Sequence, residues 1–213
     1  MTGVKFCGIN SAEAFDAAVD AGADWLGFVF YPNSPRYVTA AQAQAISARH
    51  PGGPLRVGLF VNATDTEIAA VLAEMPLDIL QLYDAPARTA DLAARFGLPV
   101  WRSVSLAADA PLPHHASGAA ALLVEPPPPP GATRPGGNAV ALDWLLLAGW
   151  HPPFPWLLAG GLTPLNVQRA IAESGAPAVD VSSGVETAPG QKSSSLIRAF
   201  VQAAKGPGAL GKD

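Results

Sequence analysis

Cys7 is the only thiol in the chain, and it closes a short apolar run, Val4-Lys-Phe-Cys7, directly before Gly8. A thiol fixed at the end of a strand can serve as base or nucleophile once its pKa is brought down. Equally, it can be a small buried hydrophobe. Glu125 ends another apolar run, Ala121-Leu-Leu-Val-Glu125, and five prolines, Pro126–Pro130, follow it. A carboxyl group covered by such a loop has a raised pKa and becomes a proton donor; left open, it is a solvated rim residue. Together the two suggest an acid and a base on opposite sides of one small substrate. Arg36 lies in Tyr31-Pro-Asn-Ser-Pro-Arg-Tyr37, where two prolines stiffen the loop. The alternative is a plain surface arginine, but a guanidinium held this way can grip a carboxylate at two points. Gly160-Gly161 and Ser182-Ser183-Gly184 each follow an apolar run. Singly they are ordinary turns. Side by side they offer backbone N–H groups, and a short helix start, to a phosphate dianion.

Lys5 and Asp180 both fall inside apolar runs. Lys5 shares parity with Cys7, so it should point inward, and a buried lysine needs a partner. The expectation is a Lys5–Asp180 pair below the site, with a structural role preferred over proton transfer. His50, His114, His115 and His151 adjoin prolines or sit in loops. None has metal-ligand spacing, so neither a metal nor histidine catalysis is assigned.

The elements that must position these side chains are legible as alternation. Strand-like runs occur at Val4–Cys7, Trp25–Phe30, Arg56–Val61, Asp78–Leu82, Pro99–Ser103, Ala120–Val124, Trp156–Ala159 and Val179–Val181. Amphipathic segments separate most of them, which argues for right-handed βαβ units and a parallel sheet. Thr39-Ala-Ala-Gln42 and Thr64-Asp-Thr-Glu67 read as capping boxes. Ser11 opens another helix, and Thr163-Pro164 places a cap before a first-turn proline. Gly22, Gly97 and Gly175 mark helix ends. Eight units of roughly 27 residues each suit a small (β/α)8 TIM barrel, whose active face is built from the C-terminal strand ends.

The competing architecture is an open doubly wound sheet, which usually carries a nucleotide signature. No G-x-G-x-x-G occurs, and Gly190-Gln-Lys-Ser193 lacks the upstream glycine of a phosphate loop. Two stretches break the rhythm. Leu106–Gly118 predicts a short or irregular fifth crossover, and the proline run predicts a stiff loop after the sixth strand. The expected organisation is one domain over residues 1–204 with a frayed tail, residues 205–213.

The composition fits. Of 213 residues, 49 % are hydrophobic and only 14 % charged, which excludes a disordered chain and implies a sizeable core. Thirteen basic against seventeen acidic residues give a net charge of −4, with no broad positive field for nucleic acid. One cysteine excludes an internal disulfide framework. The first residues lack signal-peptide features and no apolar run is long enough to span a membrane, so a cytoplasmic setting is expected.

Five segments, in order, resemble one known family. They are Val4-Lys-Phe-Cys-Gly-Ile9, Gly27–Val38, Val57-Gly-Leu-Phe-Val-Asn62, Leu158-Ala-Gly-Gly-Leu-Thr-Pro164 and Val179-Asp-Val-Ser-Ser-Gly-Val-Glu186. The family is phosphoribosylanthranilate isomerase of tryptophan biosynthesis, and the likeness runs from Val4 to about Ala204. It implies a (β/α)8 barrel without cofactor and a phosphorylated small-molecule substrate. The reaction implied is an Amadori rearrangement, with Cys7 as general base and Glu125 as general acid. Arg36 is implied to hold the anthranilate carboxylate, and Gly160, Gly161, Ser183 and Gly184 the phosphate. Lys5 and Asp180, paired by the strand pattern, and Tyr83 are the expected supporting residues.

Three departures stand out: glutamate at 125 for the usual aspartate, Tyr83 for the usual histidine, and Pro135-Gly-Gly-Asn-Ala139 for Gly-Gly-Thr-Gly. Two other readings remain. One is an inactive phosphate-binding barrel. The other is a related sugar-phosphate isomerase of histidine synthesis, which generally uses paired aspartates.

Overall fold

The computed structural model describes residues 1–132, 135, 136 and 138–206. Eight parallel strands close into a barrel in chain order. They are β1 (Gly3–Cys7), β2 (Trp25–Val29), β3 (Leu55–Val61), β4 (Ile79–Tyr83), β5 (Val100–Ser105), β6 (Ala121–Glu125), β7 (Trp156–Leu158) and β8 (Ala178–Val181). Each falls on an expected run. The open-sheet alternative fails at one observation: β1 pairs with β8, Lys5 opposite Asp180 and Phe6 opposite Val181. A closed ring leaves no sheet edge to protect.

Six α-helices are present among the described residues: α1 (Ala12–Asp20), α2 (Ala40–Ser47), α3 (Asp65–Glu74), α4 (Pro86–Phe96), α5 (Val167–Ser174) and α6 (Ser194–Lys205). Their starts follow the sequence closely. Ser11 Oγ accepts from Ala14 N at 3.2 Å, and both Thr39/Gln42 and Thr64/Glu67 form reciprocal capping boxes. Gly97 and Gly175 end α4 and α5 in the left-handed region. The Thr163-Pro164 expectation is corrected, because α5 begins only at Val167. The Asn166 side chain accepts from Thr163 N at 2.7 Å and donates to Gly161 O at 3.0 Å. That turn ties the loop back to the glycines after β7 and delays the helix.

No α-helix bridges β5 to β6, and among the described residues β6 to β7 carries only a short 3-10 turn at Trp144–Leu147. Both irregular crossovers were legible as breaks in the sequence pattern. Residues 207–213, most of the expected tail, lie outside the described residues. Lys205 itself is not frayed: it ends α6, and its ammonium donates to Gly22 O at 2.8 Å and Asp24 Oδ2 at 2.7 Å. No helix among the described residues is long and apolar enough to cross a membrane.

Inside the barrel, alternate residues of each strand form layers. Trp25 and Trp101 meet edge to face, centroids 5.4 Å apart, and with Val57, Ile79 and Leu157 fill the lower part. At the C-terminal end the lining is Cys7, Val29 and Leu59 with Tyr31, Val61 and Tyr83 packed against them. The larger hydrophobic cluster lies between strands and helices, around Phe6, Phe15, Phe28 and Phe200. A fixed floor and an outer packed shell leave only the loop-lined mouth to vary.

Candidate active site

Cys7, Tyr83 and Glu125 are the last residues of β1, β4 and β6, so strand termini alone bring them to one end of the barrel. All three line a single cavity there, together with Arg36, Asp180, Gly160, Gly161, Ser183 and Gly184. The cavity is open at its mouth, and the empty space within it and in front of it is about 670 Å³. Of the side chains singled out in the sequence, only Lys5 is absent from the lining. It lies beneath, fully buried, with its Nζ 2.7 Å from Asp180 Oδ1. The strand register puts the two residues directly opposite each other. Gly27 on β2 makes room, since a Cβ there would stand 3.2 Å from the Lys5 ammonium.

The ionisable groups of this end are tuned by burial and by one another. Burial works against a charged Lys5, but Asp180 and Cys7 outweigh it and hold its pKa above the ordinary lysine value. Burial pushes the Cys7 thiol up, and Lys5, Lys192 and Arg36 only partly offset this. Glu125, 5 % exposed, is raised by burial to about 7, against the pull of a hydrogen bond from Tyr83. Its Oε1 has no partner among the described residues. Gln81 Nε2 donates to Ser103 Oγ at 3.1 Å, and the Tyr83 phenol, held well above its ordinary pKa first by burial and then by Glu125, interacts with both Ser103 and Glu125. A carboxyl that titrates near neutrality is the form a general acid requires.

Across the mouth, the loops after β7 and β8 approach as closely as backbone allows. A Cβ on Gly184 would lie 1.7 Å from Leu162 O, and one on Gly161 would lie 2.6 Å from Ala141 N. The N–H groups of Gly161, Ser183 and Gly184 have no acceptor among the described residues. Converging free N–H groups beside a cavity form an anion cradle.

A sequence model of the family described as N-(5'phosphoribosyl)anthranilate (PRA) isomerase matches residues 4–203. The chain belongs to this isomerase family. It is 53 % identical over 206 residues to the N-(5'-phosphoribosyl)anthranilate isomerase of Acidiphilium cryptum, covering 96 % of this chain and 98 % of that one. TrpF from Jonesia denitrificans superposes with a TM-score of 0.81 at 37 % identity, over 96 % of this chain and 97 % of that one. A phosphoribosyl anthranilate isomerase crystallised with reduced 1-(o-carboxyphenylamino)-1-deoxyribulose 5-phosphate gives 0.79 at 32 % identity, over 96 % and 99 %.

Within this isomerase barrel two residues stand out that the sequence reading passed over, Glu186 and Lys192. They sit on a hairpin, β9 (Glu186–Ala188) and β10 (Gln191–Lys192), directly after β8. Glu186 receives Arg36 Nε at 2.7 Å, Arg36 Nη2 at 2.8 Å and Lys192 Nζ at 2.9 Å. The turn dipeptide Pro189-Gly190 was the available signal for a hairpin here. In sequence, Lys192 stands only within Gly190-Gln-Lys-Ser193, which lacks the glycine spacing of a phosphate loop. Arg36 is therefore not a free guanidinium: it is 4 % exposed, and one edge is already occupied.

Proposed function

We propose that this chain carries out its family's reaction with Glu125 as general acid and Cys7 as general base. The reaction is the Amadori rearrangement of N-(5′-phosphoribosyl)anthranilate to 1-(2-carboxyphenylamino)-1-deoxy-D-ribulose 5-phosphate, a step of tryptophan biosynthesis. Glu125 protonates the furanose ring oxygen, the C1–O bond breaks, and the nitrogen lone pair forms a C1 iminium. Cys7 then takes the C2 proton, and that C–H pair becomes the C1–C2 double bond of an enolamine. Tautomerisation gives the ketone. The substrate's own nitrogen is the electron sink, so the proposed steps use no cofactor.

The observation that carries this reading is the convergence of an acid titrating near neutrality and a thiol on one cavity, from strands three places apart round the barrel. The phosphate is assigned to the free N–H groups of Gly161, Ser183 and Gly184 with Gly160 shaping the turn, and the anthranilate carboxylate to Arg36. Lys5 holds a positive charge under Cys7, and Asp180 holds Lys5. We place the enzyme in the cytoplasm, since a working thiol is best kept in a reducing compartment. The test is loss of anthranilate-substrate fluorescence with purified protein. No turnover above the uncatalysed rate overturns the reading.

Two substitutions probe the supporting parts. Gly184→Ala forces the loop off Leu162 O, and overpacking of this kind costs about 1–3 kcal/mol. It is expected to weaken binding of the reduced product by roughly tenfold or more in calorimetry. Tyr83→Phe removes a hydrogen bond that favours the ionised Glu125. The Glu125 pKa is then expected to rise, shifting the limb of the pH–rate profile that it sets by roughly a unit toward alkaline pH. An unmoved limb means that Tyr83 does not reach the acid.

A further inference from the structure

We infer that Glu186 and Lys192 form, with Arg36, a buried triad of net charge +1 that fixes which edge of the guanidinium meets the substrate's carboxylate and keeps that edge positive. This rests on the assignment of the anthranilate carboxylate to Arg36.

A guanidinium presents two forked edges to a carboxylate, Nε with Nη2 and Nη1 with Nη2. Glu186 fills the first, at 2.7 and 2.8 Å. Nη1 makes no hydrogen bond among the described residues, so the second edge is the one left for a ligand. The stem is fixed as well. Gly8 has φ +77°, and a Cβ there would stand 2.4 Å from Arg36 Cδ, so the arginine lies across bare backbone. Glu186 is itself fully engaged, because Gly190 N donates to its Oε2 at 3.1 Å and Lys192 to its Oε1. Gly190 in turn packs against Pro35 O, and its carbonyl accepts from Asn10 Nδ2 at 3.0 Å. The hairpin thus clamps the β2 loop that carries Arg36.

Lys192 answers an electrostatic problem. Glu186 alone would cancel Arg36, and a neutral pair buried at the cavity wall attracts no anion. The Lys192 side chain is fully buried, its Nζ shared between Glu186 Oε1 and Ser182 O at 3.2 Å. Two cations and one anion leave the cluster at +1, which an arriving carboxylate neutralises. A packing role alone requires no second cation.

The experiment measures discrimination, which general damage to the fold does not mimic. Binding of reduced 1-(o-carboxyphenylamino)-1-deoxyribulose 5-phosphate is compared by calorimetry with binding of its anilino counterpart lacking the carboxyl group. The wild-type protein is expected to prefer the carboxylated ligand by about tenfold or more, the scale of a charged hydrogen bond. In Lys192→Met that preference is expected to fall below about threefold, with the anilino ligand bound as in wild type. Glu186→Gln/Lys192→Met restores the net charge of +1, now on Arg36 alone with an amide oxygen still able to accept from it, and is expected to recover part of the preference. It also serves as the reporter if Lys192→Met fails to fold. A preference undiminished in Lys192→Met, or absent from a folded double variant, overturns the triad while leaving the Arg36 assignment standing. No preference in the wild type overturns the Arg36 assignment, and the triad with it.

Discussion

Glu125→Gln is expected to lose about 10²–10⁴-fold in kcat, the usual contribution of a positioned general acid, with reduced-product binding largely kept. The amide preserves shape and one acceptor, but it cannot give a proton to the ring oxygen. Ring opening then depends on water, which the half-enclosed cavity admits poorly. The informative control is Glu125→Asp. Aspartate is the usual residue of the family, but here β6, Tyr83 and the proline loop are arranged around a side chain one methylene longer. Because misplacement by about 1 Å can cost 10²-fold, the shorter acid is expected to work less well than Glu125 despite being the family's choice. Fluorescence turnover at saturating substrate checks both. A Glu125→Gln rate within about threefold of wild type removes Glu125 from the mechanism.

The same substitution has a second, opposite effect on stability. Burial raises the folded-state pKa of Glu125 from 4.5 to about 7. Between those values the folded protein keeps a proton that the unfolded chain releases, so the wild type loses stability as pH rises through this window. Above it the penalty is constant, roughly 3 kcal/mol by the pKa difference. Glutamine does not titrate. Glu125→Gln is therefore expected to gain on wild type by that amount between about pH 4 and pH 8.5, read from urea unfolding at both. An activity-for-stability exchange of this sign is what a buried acid kept for chemistry produces.

The barrel was legible because parallel strands covered on both faces read as apolar runs, and helices announce their ends with caps and glycines. Cys7, Glu125 and the two glycine turns were legible because barrel sites occupy strand termini, which sequence locates to within a residue or two. Their ionisation was not. Burial sets it, and the sequence gives no sign that Oε1 of Glu125 has no partner among the described residues or that Lys5 lies under Gly27. Arg36 was found but its partner was missed, since Glu186 is 150 positions away in sequence and meets it only through the hairpin after β8. Thr163-Pro164 misled because a proline-initiated turn and a proline-initiated helix look alike until the Asn166 side chain chooses between them.

Cys7→Ala is expected to abolish turnover to the same depth, at least about 10³-fold, and its pH behaviour distinguishes a base from a bystander. Burial holds the thiol above its ordinary value, while Glu125 titrates at about 7. From neutrality upward the pair therefore carries one proton, mostly on sulfur. Catalysis needs the other arrangement, with the proton on Glu125 and the charge on Cys7. The two arrangements contain the same number of protons, so their ratio is set by the gap between the two groups and not by pH. Three cations, Lys5, Lys192 and Arg36, narrow that gap by pulling the thiol down. It follows that wild-type kcat/KM rises through about pH 7 and falls only as the thiol ionises, with Glu125 setting the acid limb. Cys7→Ser widens the gap by several units and is expected to be nearly as inactive as alanine, although its hydroxyl fits the site. A Cys7→Ser enzyme with more than about a tenth of wild-type activity is incompatible with proton removal by sulfur.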